Sequence, residues 1–164
     1  MAIAAASPGA GPPPGPRGPG WTSAGAGRDD REMDRPLLVL ACVALGGAIG
    51  ALARFGLALG IAARLDGARW PATLAANLLG CLAIGAAWRI LEHHAASPAV
   101  RGLLVTGVLG AFTTFSTFGL DVLTLLESRR PGAAAAYVLA SVAGGLLLVG
   151  LGHRAAGPFL PAGP

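Results

Sequence analysis

The sequence predicts an all-α membrane protein with four spanning helices. Three observations carry that expectation. The chain is 54% hydrophobic and 12% charged, where an ordinary soluble domain is about 25% charged. Its mean hydropathy is +0.64. Apolar stretches of about 20 residues, the length a helix needs to cross a hydrocarbon layer of about 30 Å, recur between charged residues, prolines and glycines.

Residues 1–35 are different in kind, with the Pro/Gly-rich "SPGAGPPPGPRGPGWTSAGAG" followed by the charged "RDDREMDR". Such a segment buries too little apolar surface to offset the entropy of ordering, so a disordered tail is expected. No charged n-region leads into an apolar core before the prolines begin, so it does not read as a signal peptide. The first span then runs from Leu37 to Ala63, between Arg35 and Arg64. The second covers Pro71 to Leu91, opened by a proline suited to a helix start and closed by Arg89 and Glu92. Val100 to Leu126 forms the third, and Gly132 to Gly152, between "SRRP" and His153, the fourth. Residues 36–154 make the membrane domain and 155–164 a short C-terminal tail. The connections are short enough to make successive spans antiparallel. Small residues crowd all four spans, as in "LGGAIGALARFGLALG" and "AAAAYVLASVAGGLLLVG", and predict close helix contact or oligomerisation where lipid supplies no hydrophobic drive.

All 12 basic residues are arginine and the net charge is +4. They are spread over tails and loops, which leaves no nucleic-acid footprint. Arg28, Arg31, Arg35, Arg89, Arg101 and Arg154 fall on one side of the membrane and Arg64, Arg69, Arg129 and Arg130 on the other. That margin nominally places both termini in the cytoplasm, and it is small enough to suit insertion in both orientations. Cys42 and Cys81 lie in separate apolar spans without CxxC spacing, so both read as small buried hydrophobes.

The polar residues inside the spans are the functional signal, because an ionisable group in lipid costs at least about 2.5 to 3.5 kcal/mol and demands a partner or a water-filled cavity. Arg54 lies two-thirds along the first span and either snorkels or serves such a cavity. Asn77 either bonds between helices or offers its amide to a ligand. Tyr137 and Ser141 are four apart on one face of the fourth span. In "GAFTTFSTFG", Gly110 to Gly119, the residues Thr113, Thr114, Ser116 and Thr117 are too many to serve only as back-bonds to helix carbonyls. The β-branched and aromatic content of that stretch predicts a helix broken near its middle, whose freed carbonyls suit a cation. Phe115 and Phe118 have core packing as one reading and the presentation of positive ring edges to an anion as the other.

The stretches "GGAIGALARFGL", "PATLAANLLGCLAIG" and "GVLGAFTTFSTFGLD" resemble the signature regions of the Fluc (CrcB-like) fluoride channel family, and the likeness extends over Leu37 to Gly152. It implies an antiparallel, dual-topology homodimer of four-helix subunits in the cell inner (plasma) membrane that passes fluoride outward and so confers resistance to it. It further implies a structural sodium ion held by the backbone carbonyls of Gly110 and Thr113 and their symmetry mates. The fluoride pore maps to Asn77, Phe115, Phe118, Ser116, Thr117, Tyr137 and Ser141, with Arg54 as the first-helix arginine. Three departures stand out: Gly145 replaces the serine expected one turn after Ser141, Asp121 replaces the commoner glutamate, and Ala72–Thr73 stands where "GT" is frequent. No residue in this set needs to do covalent chemistry. The competing expectation, a small proton-coupled drug exporter, requires a carboxylate in the membrane, and Asp121 is the only acid within any span.

Overall fold

The computed structural model describes residues 36–65 and 69–159. The expectation of a disordered tail over 1–35 lies outside the described residues. Among the described residues the chain is helical, with no strand, and has four stretches long and apolar enough to cross a membrane. Helix α1 is Pro36–Ala62 and α2 is Trp70–His93. The third stretch begins as α3, which joins Pro98–Arg101, the π-helical Gly102–Leu109 and Gly110–Phe112. It continues as α4, Phe115–Glu127. Helix α5 is Pro131–Ala156, followed by a 3-10 turn at Gly157–Phe159.

The observed bounds lie within two residues of those expected for the first three spans. The fourth helix runs on to Ala156 rather than stopping at Gly152, because no breaker occurs before Gly157 and Pro158. His153 and Arg154 occupy its last turn, where positive charge is favoured by the helix dipole. The start of the expected C-terminal tail therefore belongs to the helix.

Two turns have one design. After α2, Ala96 N–H donates to Leu91 O (2.9 Å) and Ala95 N–H to Glu92 O (3.1 Å), with Ala95 at φ 45°. After α4, Arg130 N–H donates to Leu125 O (2.9 Å) and Arg129 N–H to Leu126 O (2.9 Å), with Arg129 at φ 55°. Both are Schellman closures made without glycine. Arg101 secures the first of them: its Nε donates to Ala96 O (3.1 Å), its Nη2 to Leu91 O (3.2 Å), and its guanidinium lies 5.6 Å from the Trp88 ring centroid. The charge thereby satisfies carbonyls at the helix end and stacks on an aromatic face.

Sequential spans alternate in direction, yet the extensive packing joins alternate ones, α1 with α3 and α2 with α5. Each of these pairs runs parallel. Along the first, Gly46 meets Leu103 and Gly107 while Gly50 meets Val108 and Phe112; along the second, Gly144 meets Leu78 while Gly152 meets Leu82 and Ala86. A Cβ on Gly85 would collide with Val149 O and one on Gly152 with Leu82 O, so glycine is what lets these backbones touch. Two tight pairs with looser contact between them leave room for polar residues along the seam.

Substituting Gly85 by valine forces apart α2 and α5, and overpacking of this kind costs about 1–3 kcal/mol. The thermal midpoint of the detergent-purified protein is expected to fall for Gly85→Val. It is expected to hold for Gly150→Ala, whose Cβ meets nothing within 4 Å.

Candidate functional site at the interruption of the third span

Between α3 and α4 the backbone is extended at Thr113 (φ −88°, ψ 160°) and at Thr114 (φ −155°, ψ 124°). Inside a membrane each backbone group there needs a partner, and side chains supply several. Asn77 on α2 faces Thr114 with both ends of its amide. Its Nδ2 donates to Thr114 O (3.0 Å) and its Oδ1 accepts from Thr114 N–H (2.8 Å). Arg54 on α1 donates from Nε to Ala111 O (3.1 Å), capping the carbonyl end of α3. Gly80, one turn beyond Asn77, leaves the space that the Thr113 methyl fills, for a Cβ at position 80 would collide with Thr113 Cγ2.

The hydroxyls divide their labour. Thr113 Oγ1 back-bonds to Leu109 O (3.0 Å), the ordinary behaviour of threonine in a membrane helix. Thr114 is the N-cap of α4, its Oγ1 accepting from Thr117 N–H (3.2 Å). The same oxygen lies 3.1 Å from Thr117 Oγ1 and 3.3 Å from Ser116 Oγ. These bonds have a consequence for the carbonyls. The N–H that a continuous helix would give to Gly110 O belongs to Thr114 and is taken by Asn77. The N–H that would reach Thr113 O belongs to Thr117 and is taken by Thr114 Oγ1. Gly110 and Thr113 are thus two of the positions whose helix donors go elsewhere at the interruption, Ala111, bound by Arg54, being a third that has lost its helix donor.

Two cavities flank this crossing. A groove of about 330 Å³ is lined by Asn77, Gly110, Thr113, Thr114, Phe115, Phe118 and Ser141 among others. Ser141 Oγ is buried and has no hydrogen-bond partner, so its hydroxyl is available within the groove wall. Phe115 is 82% exposed and its ring centroid lies 5.5 Å from that of Phe118, which in turn lies 5.2 Å from Tyr137. A second cleft of about 230 Å³, lined by Arg54, Arg69, Thr73, Thr114 and Thr117 with apolar residues of α1, lies on the other side. Thr114 lines both.

The structure therefore brings most of the sequence-derived residues together and sets two apart. Tyr137 is only 2% exposed and stands behind Phe118, its hydroxyl donating to Asp121 Oδ2 at 3.4 Å, with Asp121 itself 5% exposed. Ser116 is exposed and touches the site through Thr114. Three further residues take roles that the sequence does not announce. Thr114 is one of four hydroxyls in its stretch, although a threonine just ahead of a helical segment is a capping signal. Thr73 and Arg69 carry no signal at all, because only the fold sets the start of α2 against Arg54.

Fold and site together define a small multi-pass membrane protein whose polar side chains Arg54 and Asn77 converge on the third span around the extended residues Thr113 and Thr114. Residues 41–153 match the family described as "CrcB-like protein, Camphor Resistance (CrcB)", and the chain belongs to that family. It is 52% identical over 106 residues, 64% of this chain and 86% of the relative, to a protein of Stutzerimonas stutzeri (strain A1501) named "Fluoride-specific ion channel FluC". Proteins of the same name from Salinibacter ruber and Thermus thermophilus are 42% and 44% identical over 135 and 119 residues. These alignments span 78% and 72% of this chain and 96% and 93% of the relatives.

Replacing Asn77 by alanine leaves the N–H of Thr114 without its acceptor, at about 1–3 kcal/mol, while the Thr114 carbonyl keeps its place at the start of α4. The unfolding midpoint of Asn77→Ala in detergent is expected to fall well below that of a surface control such as Glu127→Gln.

Proposed function

We propose that this protein is a fluoride-selective channel of the plasma membrane that lets fluoride leave the cell down its gradient. The observation that carries the reading is the groove itself, where an amide, two phenyl rings and a buried hydroxyl without a partner converge in a chain whose relatives are named fluoride-specific ion channels. Fluoride is small and strongly hydrated, so a pore must replace its water by donors and positive ring edges while fitting chloride poorly. Asn77 uses one N–H of its Nδ2 on Thr114 and keeps the second. Phe115 and Phe118 supply edges, and Ser141 supplies a hydroxyl. Tyr137, bound to Asp121, braces Phe118 from behind. No covalent step is required of any residue.

The active form in this reading is an antiparallel homodimer of two copies inserted in opposite orientations, with the third span broken at Thr113 and Thr114. The exposed ring of Phe115 and the small arginine asymmetry favour it. The carbonyls of Gly110 and Thr113, whose helix donors are redirected, form an all-oxygen set that suits a hard cation. With the same carbonyls of a second copy they would hold a sodium ion, which supplies a fixed positive charge when bound. The exporter reading has less support, since Asp121, the one acid in these spans that is not within two residues of a span end, is buried against Tyr137 rather than open to a cavity.

Purified protein in liposomes is expected to release fluoride rapidly and chloride at the rate of protein-free vesicles; equal leak of both ions, or of neither, contradicts the channel. Phe118→Ile keeps an apolar side chain and removes the ring edge. Fluoride flux through it is expected to drop at least about tenfold, the equivalent of about 1.4 kcal/mol, and unchanged flux removes Phe118 from the pore.

A further inference from the structure

The cleft on the far side of Thr114 has no part in that reading, and among the described residues its charged lining is all basic. Arg54 and Arg69 both line it, and none of its lining residues among those described is acidic. Two helix N-termini open onto it as well. Arg69 is the N-cap of α2, with Ala72 and Thr73 in the first turn, and Thr114 is the N-cap of α4, with Thr117 in the first turn. Each N-terminus carries about half a positive charge. The remaining wall, Ala58, Leu59 and Ala62, is apolar, and a low-dielectric wall focuses the field of the charges it encloses.

The two arginines are not equivalent. Arg54 directs its Nε at Ala111 O, the negative end of α3, so the dipole there offsets part of its charge. Arg69 sits at the positive end of α2, where dipole and side chain add. We propose that Arg69 is the anion-collecting residue of this protein: it draws fluoride into the cleft, which shares Thr114 with the phenylalanine-lined groove. Arg54 is then a positioning residue for the interruption. This inference rests on the fluoride-channel reading and adds to it the residue that governs capture.

Steering by charge is screened by salt while packing is not, and that difference supplies the test. Initial fluoride efflux from liposomes is measured at low fluoride, at ionic strengths of about 0.01 M and about 1 M set with an impermeant salt, where the screening lengths are about 30 Å and about 3 Å. Arg69→Gln is expected to be about tenfold slower than the unsubstituted protein at low ionic strength and nearly equal to it at high, the lower end of the range steering gives. Arg69→Glu is expected to lose more at low ionic strength, and Arg69→Lys to stay close to the unsubstituted rate at both. Equal rates for Arg69→Gln and the unsubstituted protein at low ionic strength overturn the proposal. So does a loss of the same factor at both ionic strengths, which marks a structural role. Absence of fluoride-selective efflux from the unsubstituted protein overturns the channel reading itself and this inference with it.

Discussion

The paired hydrogen bonds between the Asn77 amide and the backbone of Thr114 are the constraint on which the rest of this structure depends. A membrane helix satisfies every backbone group internally, so an interruption is stable only if something replaces the lost bonds. One asparagine side chain takes the N–H that has lost its helix partner and adds a donor to the carbonyl of the same residue, where the chain is most extended. Arg54 takes the carbonyl of Ala111, three residues before Thr114, and the Thr114 hydroxyl takes the N–H of Thr117 three residues after it. The interruption is thus built from side chains on three different spans, and it would not survive if α1, α2 and α4 were not held in register.

Glycine supplies that register. The contact of α1 with α3 through Gly46 and Gly107 and of α2 with α5 through Gly85 and Gly152 brings backbones together where lipid gives no reason for helices to associate. Gly80 extends the same device to the site, admitting the Thr113 methyl beside Asn77. The π-helical Gly102–Leu109 belongs to this packing, being the part of α3 that receives Gly46. Because the close pairs are parallel and non-sequential, polar residues from the loosely packed seam between them face one another, and the two cavities form there. One cavity is lined by an amide, hydroxyls and two phenyl rings, the other by two arginines, and Thr114 lines both.

Much of this was legible in the sequence. Length and apolarity set the four spans to within two residues except at the end of α5, where the helix runs past Gly152 because its stop signal is Gly157–Pro158 and not the polar His153–Arg154. The density of hydroxyls and rings in "GAFTTFSTFG" marked the stretch in which Thr113 and Thr114 are extended, and Arg54 and Asn77 stood out through the cost of polar groups in lipid. What could not be read was the pairing. Nothing local to Asn77 says that its amide turns to a backbone 37 residues on, or that Arg54 turns to Ala111 instead of snorkelling to the interface. The alternatives left open for both residues were alternatives of partner, and partners are set by which helices pack. Tyr137 shows the same limit, for its spacing with Ser141 placed the two on one face, yet only the fold puts it behind Phe118 with Asp121 as its acceptor.

The most direct test of the Asn77 clamp is residue-resolved amide hydrogen exchange in the reconstituted protein, read at Thr114. An extended residue at an interrupted helix would ordinarily exchange quickly, but an N–H held by Asn77 Oδ1 within the membrane exchanges about as slowly as the amides of α3 and α4 on either side. Slow exchange is expected for the unsubstituted protein, and its loss in Asn77→Ala. Fast exchange at Thr114 with Asn77 in place would contradict the clamp, and with it the arrangement of both cavities.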